Sequence, residues 1–248
     1  MSACRTSVVK LGGGAITFKD RPFTLDWPSL SLASSQLAEY RKQGGVLVAI
    51  VHGGGSFGHY VASKIVEARA STTVMVSKIQ EAMDILSTLV TSALRGYGIP
   101  VTLHHPRSIC IEPSRCDLTI LKRDVEQGLV PVTHGDALMK EDKAIIISGD
   151  WLAAEIAVRE GVDCLIYATR VGGVYGRGGN ILRSLSSEGE VIYVGSEGRD
   201  VTGGIKIKVR EALRASREGV RRVLITGVSD ILPVLLGDDR GTLVVARE

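Results

Sequence analysis

The sequence predicts an α/β protein: an open αβα sandwich around a mainly parallel sheet, with a β-hairpin set into its first part. Short apolar runs rich in β-branched residues recur and end in glycine-containing loops. They are SVVKLGGG (7–14), VLVAIVHGGG (46–55), AIIISGD (144–150), CLIYATRVGG (164–173) and VLITGVSD (223–230). Runs of this length and composition suit strands buried on both faces. Helical patterns lie between several of them, which calls for crossovers and so for parallel pairing. The strand–helix units are too few for an eightfold barrel.

Taken in order, a helix is expected at about 31–43 after the first strand, and the second strand follows. The clearest helix is 74–98, where Val76, Ile79, Met83, Leu86, Val90 and Leu94 recur at steps of three and four before Gly96 and Gly98 stop the run. GLVPVTHGD (128–136) and MKEDKAIIIS (139–148) contain two extended runs around a charged turn, the signature of a hairpin. Helices are expected at about 151–160 and 204–218, the latter stopped by Gly219, with YGRGGN (175–180) as a loop between them. Neither a repeat nor a linker interrupts residues 1–248, which read as a single domain.

The 248 residues include 44% hydrophobic and 23% charged, the balance of a folded globular protein. A net charge of +3 without a basic stripe interleaved with aromatics argues against a nucleic-acid partner, and REALRASREGVRR (210–222) reads as a solvated helix face. Cys4, Cys110, Cys116 and Cys164 show neither a C-x-x-C pair nor zinc spacing, so reduced thiols and a cytoplasmic location are expected. MSACRTSVVKLGGG has no apolar signal core and VLVAIV is too short to span a bilayer, so neither targeting nor a membrane partner is expected. His104, His105 and His134 have no carboxylate or cysteine at ligand spacing, which assigns them to surface or hairpin positions and leaves no protein-held metal.

The chemistry lies in the glycine loops. No G-x-x-x-x-G-K-[ST] is present. Gly53, Gly55 and Gly58 satisfy G-x-G-x-x-G, but no acidic residue follows at ribose distance, where the chain reads STTVMVSK (71–78). A dinucleotide-dependent oxidoreductase is therefore the weaker reading. KLGGG with Lys10, HGGGSFGH and DVTGGIKIK (200–208) point instead to phosphate handling, since glycine loops expose backbone N–H groups and lysines supply charge.

In these stretches the chain resembles the isopentenyl phosphate kinases of the amino acid kinase superfamily. VVKLGGGAITFKDRPFTL, VHGGGSFGHYVASK, IISGD, ATRVGGVYG, DVTGGIKIKV and GTLV follow the family's order over nearly the whole sequence. The resemblance implies ATP-dependent phosphorylation of isopentenyl phosphate, with Mg²⁺, in a homodimer. Residues 1 to about 160 would hold the acceptor and about 161–248 the nucleotide. Carried over by position, Lys10 and the Gly12–Gly13 turn, with Gly14 beside it, would cradle the transferring phosphoryl group, and Lys19 would neutralise transition-state charge. Gly54, His59 and Gly149 would contact the acceptor, Gly55 the nucleotide phosphates, and Gly204 and Lys208 the ATP side; Lys206 would only support. Asp150 either caps the helix that follows or organises the catalytic lysines.

An imidazolium facing a phosphate monoester gains a charge-assisted hydrogen bond, which makes His59 the residue that separates these kinases from relatives with carboxylate acceptors. Departures from the family pattern are Gly14 for serine, Phe18 for an acidic residue, and TRVGGVY for TDVDGVY. Arg170 thereby becomes a candidate contact to a phosphate or ribose, and base preference stays open. The apolar face of Val76, Ile79, Met83 and Leu86 is the candidate wall for the acceptor's tail. Rival readings are a kinase of the same fold acting on another phosphate or phosphonate, such as a longer prenyl phosphate or fosfomycin, and a non-catalytic nucleotide-binding regulator.

Overall fold

Thr6–Leu11 form the central strand, β1, and every residue after the first is buried, as an uninterrupted apolar run requires of a strand covered on both faces. A computed structural model describes residues 3–67, 71–113, 115–191 and 204–245. β1 passes through a single turn, α1 (Gly13–Ile16), to α2 (Trp27–Lys42), and β2 (Val46–His52) leads into α3 (Gly55–Glu67) and the long α4 (Thr72–Gly96). Then come β3 (Val101–Leu103), α5 (Pro106–Ile109), the small β4 (Cys110–Glu112) and β5 (Arg115–Cys116), α6 (Thr119–Glu126) and β6 (Val130–His134). β7 (Asp136–Lys140) and β8 (Lys143–Ile147) precede α7 (Gly149–Arg159), β9 (Cys164–Thr169) and β10 (Ser184–Leu185). α8 (Gly204–Arg217), β11 (Arg222–Gly227), α9 (Ile231–Leu235) and β12 (Thr242–Val244) complete the described chain.

Among the described residues eight strands form one sheet in the order β10-β12-β11-β9-β1-β2-β6-β3. Only β11 and β12 pair antiparallel within it, so the mainly parallel sandwich is confirmed. One apolar layer joins Val9, Leu11 and Ile166 to Leu37, Leu86 and Leu94 of α2 and α4. The other joins Val8, Val51 and Leu165 to Leu152, Ile156, Val209 and Leu213 of α7 and α8. Chain order runs outward from β1 on both sides, to β2 and to β9, and the carboxyl ends of strands at such a switch point are where open sheets bind ligands.

Helix ends follow local chemistry. The Asp26 carboxylate accepts from the Ser29 amide at the start of α2, and Ser71 caps α4. Besides the short α1, α5 and α9, the helices α3 and α6 lie outside the expected set; Gly55 and Gly58 at the start of α3 lower local helix propensity, and packing overrides them. The hairpin is also shifted. Residues 130–134 join the main sheet as β6, parallel to β2 and β3, and the hairpin is β7 with β8, turning at Glu141 (φ 54°). The AIII run is accordingly a hairpin strand with Ile146 exposed, not a core strand.

The four cysteines depart from expectation. They form two disulfides, Cys4–Cys164 across a separation of 160 residues and Cys110–Cys116 across six. Sequence spacing cannot reveal the first, because the fold alone brings the start of β1 beside β9. The reduced-thiol reading, and with it that argument for a reducing compartment, falls. Among the described residues no helix is long and apolar enough to cross a membrane.

Candidate active site

Lys10 sits near the carboxyl end of β1, in register with Tyr167 of β9. Parallel neighbours in register project to one side of the sheet, here toward the first turn of α7. There Asp150 Oδ1 lies 2.7 Å from Lys10 Nζ and 2.6 Å from Lys208 Nζ. All three side chains are buried. Ser148, whose hydroxyl accepts from the Asp150 amide at 3.2 Å, caps α7, so Asp150 is not the cap. The Asp150 carboxylate is left to the two lysines. Tyr167 donates its hydroxyl to the Asp150 carbonyl at 2.9 Å, and Lys208 Nζ stands 5.0 Å from the Tyr167 ring centre.

Burial opposes ionisation of Asp150, but the attraction of Lys10 and then Lys208 outweighs it and holds the carboxyl down to about 2. At Lys208 burial wins: it lowers the ammonium to about 8, Asp150 working against it and Lys10 adding repulsion. The cluster therefore contains a carboxylate that stays charged and an ammonium close to releasing its proton. Tyr167 is raised well above its ordinary range by burial and by Asp150, so its hydroxyl stays a donor.

Around this centre the glycine loops meet backbone to backbone. The Gly12 amide donates to Ala168 at 2.9 Å and the Gly53 amide to Leu11 at 3.0 Å, fastening the loops after β1, β2 and β9 together. A Cβ on Gly13 would fall on the Gly55 amide nitrogen, and Gly55 itself has φ 49°, so both positions demand glycine. Thr17 closes the seam: its Oγ1 donates to the Gly13 carbonyl at 2.8 Å and accepts from the Ser56 amide at 2.9 Å. A Cβ on Gly53 would stand 3.4 Å from Lys10 Nζ, and one on Gly149 would stand 3.1 Å from the His52 carbonyl. A Cβ on Gly14 would come within 2.6 Å of Lys19 Cε, which places the exposed Lys19 over the same loop.

Arg170 is engaged with protein. It donates to the carbonyls of Gly14 (2.7 Å) and Thr17 (3.0 Å), reaches Asp26 at 3.0 Å, and stacks over Phe18. It braces the first glycine loop and borders a cavity of about 680 Å³ with Thr169, Gly172, Tyr175, Gly227 and Asp230, beyond β9 and β11. Gly204 opens α8, which carries Lys208, while positions 200–203 of the DVTGG stretch lie outside the described residues. His59 is exposed on α3. Met83 faces the same segment, since a Cβ on Gly54 or Gly58 would approach its sulfur to 3.3 or 2.8 Å. Thr17 and Tyr167 escaped the sequence reading; the only available signal was the register of Tyr167 with a strand lysine.

The remaining histidines contradict expectation. His104 pairs with Asp124 at 2.7 Å. His134 is fully buried, its Nε2 3.1 Å from His105 Nδ1, and His105 lies 3.2 Å from Asp84. Their partners come from other elements, at sequence separations a local pattern cannot show. Burial lowers His134 to about 4.

Residues 5–227 match the amino acid kinase family. The chain is 29% identical to the isopentenyl phosphate kinase of Methanocaldococcus jannaschii, over 95% of this chain and 97% of that one. It is 31% identical to the isopentenyl phosphate kinase of Haloferax volcanii, over 96% and 97%. A solved isopentenyl phosphate kinase structure superposes with a TM-score of 0.82 at 27% identity, over 97% of this chain and all (100%) of that one.

Proposed function

The chain belongs to the amino acid kinase family, and on that footing we propose that it transfers the terminal phosphoryl group of ATP to isopentenyl phosphate, giving isopentenyl diphosphate. The observation that carries the reading is the Lys10–Asp150–Lys208 cluster at the rim where three glycine loops converge. A phosphate monoester is largely ionised at neutral pH, its second pKa being about 6. Its oxygen needs no general base. The task is to bring two anions into line and screen their charge, which is positioning and electrostatics.

In this reading the Gly12–Gly14 and Gly53–Gly55 loops hold phosphate oxygens through the amides of Gly13, Gly14, Gly54 and Gly55, those of Gly12 and Gly53 being spent on Ala168 and Leu11, and Lys10 and Lys208 face the bridging region. Lys19 supplies a third ammonium over Gly14. Gly54, Gly149 and His59 hold the acceptor, with Met83 and its neighbours on α4 against the tail. Gly204 and the loop after β9 lie on the nucleotide side, with Arg170 acting through the loop it braces. Residues to about 160 thus serve the acceptor and those from about 161 the nucleotide, on one continuous sheet. Mg²⁺ accompanying the nucleotide would supply further charge neutralisation, and Asp150, engaged by two ammonium groups, would not be the residue that holds it. The homodimer implied by the resemblance is checked by light scattering.

The test is ADP release with isopentenyl phosphate and ATP–Mg²⁺ beside a panel of longer prenyl phosphates and fosfomycin. The highest kcat/KM with isopentenyl phosphate supports the reading. A clear preference for another acceptor reassigns the substrate, and nucleotide binding without turnover on any acceptor rejects the enzyme.

A further inference from the structure

Where β6 ends against α4, a second group of chemically active side chains converges, and phosphoryl transfer does not use it. His134 closes β6 in register with His52 of β2. The His52 ring is engaged, its Nε2 lying 2.9 Å from the Ser87 hydroxyl of α4. The His134 Nδ1 lies 2.8 Å from the Gly135 carbonyl, which can only accept, so that nitrogen carries the proton and Nε2 presents its lone pair. Facing it at 3.1 Å is His105 Nδ1, itself 3.2 Å from Asp84 Oδ1. Three donor atoms, two imidazole nitrogens and one carboxylate oxygen, fall within 4.8 Å of one another.

Two of these separations match those of ligands around one ion. Metal–ligand bonds of about 2.0–2.1 Å in a tetrahedron put neighbouring ligands about 3.3 Å apart, close to the 3.1 and 3.2 Å found. The surroundings of the three groups also resemble a metal site's outer shell, in which ligating rings donate their other N–H to a carbonyl and ligating carboxylates are themselves hydrogen-bonded. Gly135 plays the first part. Arg107 plays the second, gripping Asp84 through Nη2 at 2.7 and 2.8 Å and reaching the buried Asp136 at 3.2 Å. Two carboxylates thus stand against one guanidinium, leaving room for added positive charge. Access exists: the Asp84 and His105 side chains are 43% and 27% exposed, while His134 waits beneath them.

We propose that Asp84, His105 and His134 bind one divalent transition-metal ion of the zinc class, with water completing its coordination. Two imidazoles and a single carboxylate favour Zn²⁺, Co²⁺ or Ni²⁺ over the oxygen-seeking Mg²⁺ that accompanies the nucleotide. The ion joins α4, the segment after β3 and the end of β6. Gly135 connects that anchor to the acceptor side, since a Cβ there would stand 3.0 Å from the Gly149 amide nitrogen.

The test uses the full chain without a histidine tag, stripped with EDTA and titrated with CoCl₂ in excess Mg²⁺. One Co²⁺ per chain with the visible absorption of a four- or five-coordinate ion, displaced by ZnCl₂, is expected. Asp84→Asn and His105→Ala should each weaken Zn²⁺ binding by about 10-fold or more. His104→Ala, whose ring pairs with Asp124, should leave it unchanged. Both ligand variants alter partly exposed groups, and circular dichroism verifies that they fold. Absence of saturable binding overturns the proposal, as does displacement by Mg²⁺ or equal affinity in Asp84→Asn and His105→Ala; the cluster is then a hydrogen-bonded histidine pair.

Discussion

Replacing Asp150 by Asn keeps the shape of the central cluster and removes its only negative charge. Lys10 and Lys208 both touch the same carboxylate oxygen, at 2.7 and 2.6 Å, so their nitrogens are no more than about 5 Å apart. Two ammonium groups at that distance repel by about 3 kcal/mol at an effective dielectric of 20, equivalent to about two pKa units. Lys208 already stands at about 8. That value already contains the Lys10 repulsion, so what Asp150→Asn removes is the opposing attraction of the carboxylate 2.6 Å away, and Lys208 should titrate well below 8 and lose much of its charge at pH 7.5. Losing one preorganised positive group from a phosphoryl-transfer site costs roughly 10²–10³ in rate. The assay is steady-state ADP release across pH, read as kcat/KM because that quantity reports groups of the free enzyme. The wild type should lose activity as pH rises through about 8. In Asp150→Asn the same limb should move to clearly lower pH, with thermal melting showing that the variant folds. An unchanged kcat and an unmoved limb would refute the argument that Asp150 keeps Lys208 protonated.

The same carboxylate makes stability depend on acid. Its folded pKa, about 2 against an ordinary 3.8, lies below the unfolded value, so its contribution of about 2 kcal/mol is fully present above pH 4 and lost as pH falls toward 2. Denaturant midpoints should show this slope in the wild type and not in Asp150→Asn. His59→Ala should reduce kcat/KM for the acceptor by about 10- to 100-fold, the worth of a hydrogen bond to a charged group, while ATP affinity from calorimetry stays put; equal losses on both sides would contradict its place at the acceptor. Met83→Ala removes the sulfur that approaches Gly54 and Gly58, and kinetics over a chain-length series should shift toward longer prenyl phosphates, at a stability cost of about 2–5 kcal/mol. Reducing Cys4–Cys164, which spans 160 residues, should remove up to about 5 kcal/mol by the loop-entropy estimate; a melting point indifferent to dithiothreitol would show that this bond does not stabilise the fold.

Much of this architecture could be read along the chain because its signals are local. The buried strands β1, β2, β9 and β11 announce themselves as apolar runs, and Val76 to Leu94 mark one face of α4. The hairpin misled because VPVTH carries the composition of either a sheet core or a hairpin arm, and only pairing decides. At the site, Lys10 and the glycine loops were visible, since a lysine inside an apolar run and clustered glycines need an explanation. What stayed hidden depends on approach between distant segments: Ser148 relieving Asp150 of the capping role, Thr17 bridging two loops, Arg170 turned inward, Cys4 meeting Cys164, and the His105–His134 contact. Each pairs residues from different elements or depends on a rotamer, and neither is written in periodicity or spacing.

The abutment of Gly13 on Gly55 has a consequence for how this sequence can vary. At most buried positions an oversized residue can be accommodated by trimming a neighbour, so evolution can pass through paired changes. Here the obstacle to any side chain at residue 13 is main chain, which no substitution shortens. A saturation library at codon 13 should therefore return glycine alone among active clones, and no second-site suppressor drawn from side-chain changes should rescue the others.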